Sequence, residues 1–94
     1  MLTLKDLYKG ICDEIEKENI INVKNIVLNV AILVTEGIDD GYDLGVFVDD
    51  CYLDEIKYSF SSKIEAETEL SGLEDMLRNN FKCQVYSKFE EIVL

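Results

Sequence analysis

Eight carboxylates fall within twenty residues of this chain, in the stretch EGIDDGYDLGVFVDDCYLDE from Glu36 to Glu55. They are Glu36, Asp39, Asp40, Asp43, Asp49, Asp50, Asp54 and Glu55. No lysine or arginine occurs between Lys24 and Lys57. Three chemistries use carboxylates at this density: acid–base catalysis by a pair, coordination of a hard cation, and recognition of a basic surface.

The first lacks its other parts. The chain has no histidine, so the usual general base at neutral pH and the Ser-His and Cys-His triads are absent. Glycosidase chemistry needs two carboxylates and a cleft with aromatic platforms, and this short chain has no tryptophan. Its five glycines form neither GxxxxGK nor GxGxxG, so no nucleotide cofactor is implied. The second chemistry fits no better. Asp39, Asp40, Asp43, Asp49 and Asp50 are hard oxygen donors, but their spacing is not that of a DxDxDG calcium loop. The two Asp-bearing turns of a simple meander would also lie at opposite ends of the sheet. No metal and no cofactor are expected, and the chain is read as a non-enzyme.

Recognition of a basic surface has more physical content. Outward carboxylates two residues apart on a strand sit about 6.7 Å apart and repel by ~0.6 kcal/mol in water. Several uncompensated pairs would cost a few kcal/mol (roughly) in a fold whose whole stability is about 5–14 kcal/mol. A basic partner relieves that cost, and the same field speeds its approach. The expected contact patch is Asp39, Asp40, Asp43, Asp49, Asp50, Asp54 and Glu55, with Phe47 as an apolar anchor. The net charge of −11 argues against direct contact with nucleic acid or an anionic membrane.

The elements that must position these residues can be read in order. Residues 3–18 form an amphipathic helix, with Thr3 as N-cap, Asp6 completing a capping box and Leu2 stapling onto Leu7. Leu4, Leu7, Tyr8, Ile11, Cys12 and Ile15 make its apolar stripe. Residues 24–36 form a strand with Ile26, Leu28, Val30, Ile32 and Val34 inward and a mixed opposite face. GIDDG, Gly37 to Gly41, is a turn, and residues 42–48 return with Tyr42, Leu44, Val46 and Val48 inward and Asp43, Gly45 and Phe47 outward.

Asp49-Asp50 makes a second turn, and residues 52–60 give a third strand with Tyr52, Ile56, Tyr58 and Phe60 inward. Ser62 with Glu65 caps a second helix that ends at Asn79-Asn80. Because alternation runs on to Leu70, a longer strand followed by a helix from Ser71 is the alternative. Residues 82–89 form a last strand with Cys83, Val85 and Phe89 on one face. The tail EEIVL is either a continuation of this strand or a short terminal turn, and its apolar end, Ile92-Val93-Leu94, packs on the core or on a second copy.

These elements predict one domain over residues 1–94, of α+β class, with two helices on one face of an antiparallel meander in the order α-β-β-β-α-β. Cys12, Cys51 and Cys83 are odd in number and form no CxxC pair. No signal peptide and no apolar run of membrane-spanning length is evident, so the cytoplasm, with reduced thiols, is the expected compartment.

In size, acidity and lack of catalytic parts the chain resembles the small inhibitors of phages and mobile elements, such as anti-CRISPR and anti-restriction proteins. It also resembles bacterial toxin-immunity proteins. The likeness is one of composition over the whole chain and assigns no residue a role. It implies an inhibitor of a basic, nucleic-acid-handling partner that works by imitating nucleic acid. A homo-oligomeric structural or scaffolding protein is the alternative, with the mixed face of residues 25–35 and the apolar C-terminus as its interface.

Overall fold

The even-numbered apolar residues of the first long strand, Ile26, Leu28, Val30 and Ile32, are all buried, and the rest of the chain is assembled over them. The computed structural model describes residues 3–94, so the stapling of Leu2 onto Leu7 lies outside the described residues. Its elements are α1 (Leu4–Lys17), β1 (Asn25–Thr35), β2 (Ile38–Val48), β3 (Cys51–Tyr52), β4 (Tyr58–Phe60), α2 (Lys63–Phe81) and β5 (Gln84–Val93). The fold is α+β, with two helices packed on one face of a five-stranded sheet whose order is β3-β2-β1-β5, β4 also pairing β2.

Local chemistry explains where the elements begin and end. Thr3 Oγ1 accepts from the Asp6 amide and Asp6 returns the bond to the Thr3 amide, so the expected capping box starts α1. Leu7, Ile11 and Ile15 bury its inner stripe. Cys12 is only partly buried, and Asn80 of α2 donates to its sulfur at 3.4 Å. The helix reading after Ser62 holds: Ser62 Oγ accepts from the Glu65 amide. The Glu65 carboxylate accepts from the Ser61 amide, one residue earlier than a capping box requires. The helix passes the expected stop at Asn79-Asn80 and ends after Phe81, where Lys82 takes the left-handed conformation (φ 54°, ψ 40°).

Four features of the sheet depart from expectation. First, it is mixed: β5 runs parallel to β1 over Asn25–Val34 and Gln84–Val93. The cause is α2, whose nineteen residues carry the chain back along the whole sheet before it can pair again. Second, β2 starts at Ile38, and the turn is only Glu36-Gly37. Both turn residues have positive φ (51° and 81°), the two-residue hairpin geometry for which glycine is suited. The extra residue of GIDDG appears as an irregularity opposite Leu33 and Val34.

Third, the strand expected over 52–60 is broken into β3, which pairs with the last two residues of β2, and β4, which pairs with its middle. Between them Leu53 and Ile56 turn into the core, 2% and 8% exposed. That dive shifts the parity, so Tyr52 points outward and is half exposed, where an inward ring was expected. Fourth, the tail continues β5 as far as Val93, which is one of its two readings, but its Ile92, Val93 and Leu94 side chains stay exposed where packing was expected. The second turn, Asp49-Asp50, forms as expected, with both residues at positive φ.

Candidate protein-binding surface

Among the described residues no element covers the second face of the sheet. The register defines what it displays. Tyr86, Val27, Phe47 and Tyr52 form one row across four strands, because Val27 is opposite Tyr86 in β5 and Phe47 in β2, and Phe47 is opposite Tyr52 in β3. Lys88, Asn29 and Gly45 make the next row, and Glu90, Ala31, Asp43 and Ser59 the one after. The mixed face expected for residues 25–35 is thus bare.

The aromatic row holds the main apolar feature. The Phe47 and Tyr52 rings lie 5.0 Å apart at 40°. Gly45 lies beside this pair: a Cβ there would sit 3.4 Å from the Tyr52 ring and 3.7 Å from that of Phe47, in ordinary van der Waals contact with both. A shallow trough of about 330 Å³ runs between Phe47 and Tyr86 over Val27, with Asp50 and Lys88 at its margins. A second hollow of about 250 Å³ opens where β3 stops short of β4, between Tyr52 and Tyr58, with Asp43 and Lys57 at its rim.

The acids are distributed along the sheet. Asp39 and Asp40 lie at the Glu36-Gly37 end of β2, and Asp49 and Asp50 follow its other end. An eleven-residue strand separates them by about 35 Å. Asp43 stands midway on the bare face, and Asp54 and Glu55 lie in the turn between β3 and β4. All are exposed.

Three of these carboxylates have structural partners. Asp49 accepts from the backbone amides of Lys24 (3.1 and 3.2 Å) and Asn25 (2.8 Å), tying the second turn to the start of β1. Asp39 accepts from the Tyr42 hydroxyl at 2.5 Å, and that bond, with burial, raises the phenol above its ordinary range. Asp43 accepts from Ser59 Oγ at 2.7 Å, clasping β4 to β2. Asp40, Asp50, Asp54 and Glu55 have no side-chain hydrogen bond or ion pair among the described residues. They are the acids whose charge is uncommitted.

Phe47 is where the alternation placed it, pointing away from the core. Tyr52 and Tyr86 were not singled out for the face. Tyr86 was legible, since it has the opposite parity to Val85 in KCQVYSKF. Tyr52 was not, because its orientation depends on the break after it.

No group of three or more Cys, Asp or Glu side chains placed to hold a metal ion occurs among the described residues. Among them, too, no helix is long and apolar enough to cross a membrane. Compared with known proteins, the chain matches no family model, no curated protein and no solved structure.

Proposed function

We propose that the chain is a non-enzymatic acidic binding protein that inhibits a basic, nucleic-acid-handling protein by laying the bare sheet face over its groove. One observation carries the reading: an uncovered face with the Phe47–Tyr52 pair at its β3 edge is bordered there by the uncommitted acids Asp50, Asp54 and Glu55. Aromatic anchors inside a charged rim are the make-up of protein interfaces. The rings supply affinity, while Asp50, Asp54 and Glu55 steer a cationic surface toward them and favour it over neutral ones.

Acids strung along about 35 Å of strand reach across a groove rather than into a single pocket. A basic toxin with its immunity protein would use the same surface, the difference lying only in the partner. Three free thiols fit a reducing cytoplasm.

The test is affinity capture from host lysate at low and at high salt, repeated with the variant Asp50→Lys/Asp54→Lys/Glu55→Lys. The wild type should recover a basic protein that DNA or RNA displaces and that salt releases, because ~1 M salt shortens screening to about 3 Å. The triple reversal should lose it. Recovery that is unchanged by the reversals would refute the reading.

A further inference from the structure

The outer edge of β5 lies apart from the acidic stretch. Residues 82–94 contain Lys82, Lys88, Glu90 and Glu91 and are neutral, so the acidic excess stops there. The strand lies at the end of the sheet order and is ten residues long. Tyr86, Ile92 and Val93 are exposed along it, by 50%, 40% and 79%.

Its backbone polarity can be assigned. The Gln84 amide donates to the Lys24 carbonyl (3.1 Å) and the Leu94 amide to the Val34 carbonyl (2.8 Å). The β1–β5 register is continuous between them. Even-numbered residues therefore turn their backbone groups toward β1, and Val85, Ser87, Phe89, Glu91 and Val93 turn theirs outward. The Val85 carbonyl confirms this polarity, because the Arg78 guanidinium reaches around from α2 to donate to it at 2.7 Å. Arg78 thereby closes the edge at Val85. Beyond it, the outward groups of Ser87, Phe89 and Glu91 have no partner among the described residues.

We infer that a second copy of this chain adds to this edge, antiparallel and centred on Phe89, so that two sheets join about a twofold axis perpendicular to them. This inference is independent of the proposed function. A twofold of that kind keeps both pairs of helices on one side and sets residue 89−n opposite residue 89+n of the second copy. Phe89 then pairs with Phe89, and Ser87 with Glu91, as hydrogen-bonded pairs that each exchange two N–H···O bonds. The side chains agree with this register. Lys88 falls opposite Glu90 and Glu90 opposite Lys88, giving two cross-strand ion pairs, while Tyr86 meets Ile92. Centring the axis one residue either way sets Lys88 against Lys88 or Glu90 against Glu90. Charge thus selects one register.

An edge this long and apolar is ordinarily shielded. Lys88 alone would shield it by repelling its own copy, whereas Lys88 followed two residues later by Glu90 is self-complementary. The bare faces of the two copies become one continuous surface, joined where Tyr86 meets Ile92.

Sedimentation velocity across a wide range of concentrations tests the inference. The wild type should sediment as a dimer, with twice the chain's 10.8 kDa, at the higher concentrations. Lys88→Glu should weaken the dimer by about tenfold or more, since it makes both cross-strand pairs like-charged. Lys88→Glu/Glu90→Lys should restore it. Glu91→Pro, which removes an outward amide without touching the bonds to β1, should also weaken it. A monomer at every concentration would overturn the inference, as would a dimer indifferent to Lys88→Glu or one that the charge swap fails to rescue. Circular dichroism of each variant separates lost association from lost folding.

Discussion

The sheet has two edges, and they are built in opposite ways. On one side the edge is two short pieces, β3 and β4, of two and three residues, separated by a detour carrying Asp54 and Glu55. On the other side β5 runs unbroken for ten residues, and its segment is neutral. Short strands, a break and like charges are the usual protection against strand addition. The first edge has all three and the second has none of them except a lysine answered by a glutamate. The acidic side of the molecule is thus closed to pairing and presents side chains. The neutral side presents backbone.

The largest test of this contrast is the plug that keeps the first edge broken. Leu53 is 2% exposed and fills the core where a regular strand would have turned a side chain outward. Leu53→Ala should cost about 2–5 kcal/mol in urea unfolding. Tyr52→Ala next to it removes only a half-exposed ring and its pair with Phe47, and should cost about 0.5–1.5 kcal/mol. Equal costs would mean that the detour is not what holds this edge.

A smaller effect separates two neighbours in one turn. Asp49→Asn weakens the bonds to the Lys24 and Asn25 amides and should cost about 1 kcal/mol. Asp50→Asn should stay within ~0.5 kcal/mol, since its carboxylate has no such partner and asparagine tolerates its positive φ. Chemical denaturation of the two variants decides it. Partner capture should show the reverse order, with Asp50 mattering more.

These acids also show what a sequence can carry. Alternation is a local property, and it correctly gave the inward faces of β1 and β2 and the outward Phe47, while the readiness of Asp for turn geometry gave the Asp49-Asp50 turn. The caps at Thr3 and Ser62 were legible because each is a contact across three residues. Strand direction was not. Whether β5 runs with or against β1 depends on how far α2 carries the chain, and the β5 pattern reads the same either way. The break at Leu53 was hidden for a related reason: Tyr52, Ile56, Tyr58 and Phe60 keep even spacing across a detour in which the chain leaves the sheet. The eight acids were plain in the sequence, but not that Asp39, Asp43 and Asp49 are engaged in holding the sheet that displays the others.

Acid should loosen the helices through their caps. Hydrogen bonds from Thr3 hold Asp6 below its ordinary 3.8, and bonds from Ser61 hold Glu65 below its ordinary 4.5. A depressed carboxylate adds stability that is complete above the unfolded value and fades as pH falls through the folded one. Asp6→Asn/Glu65→Gln should therefore flatten the loss of helical circular dichroism below about pH 4.5. An unchanged acid limb would remove both caps from the account.

The smallest effect lies at the hairpin end. Tyr42 is raised above its ordinary 10.0, first by its bond to Asp39 and then by burial. The neutral phenol is the favoured form, so its contribution is present below pH 10 and lost as pH rises through the raised value. Asp39→Asn should let Tyr42 ionise at lower pH in an ultraviolet difference titration. No change would mean that the hydroxyl is not bonded to Asp39 in solution.

The division between the two edges is tested most directly by one light-scattering series. It measures the mass of Lys88→Glu and of Asp50→Lys/Asp54→Lys/Glu55→Lys, each with and without the captured partner. Lys88→Glu should be a monomer that still binds the partner, and the triple reversal should be a dimer that does not. Loss of both functions in either variant would contradict the assignment of self-association to the β5 edge and partner recognition to the acid-bordered sheet face.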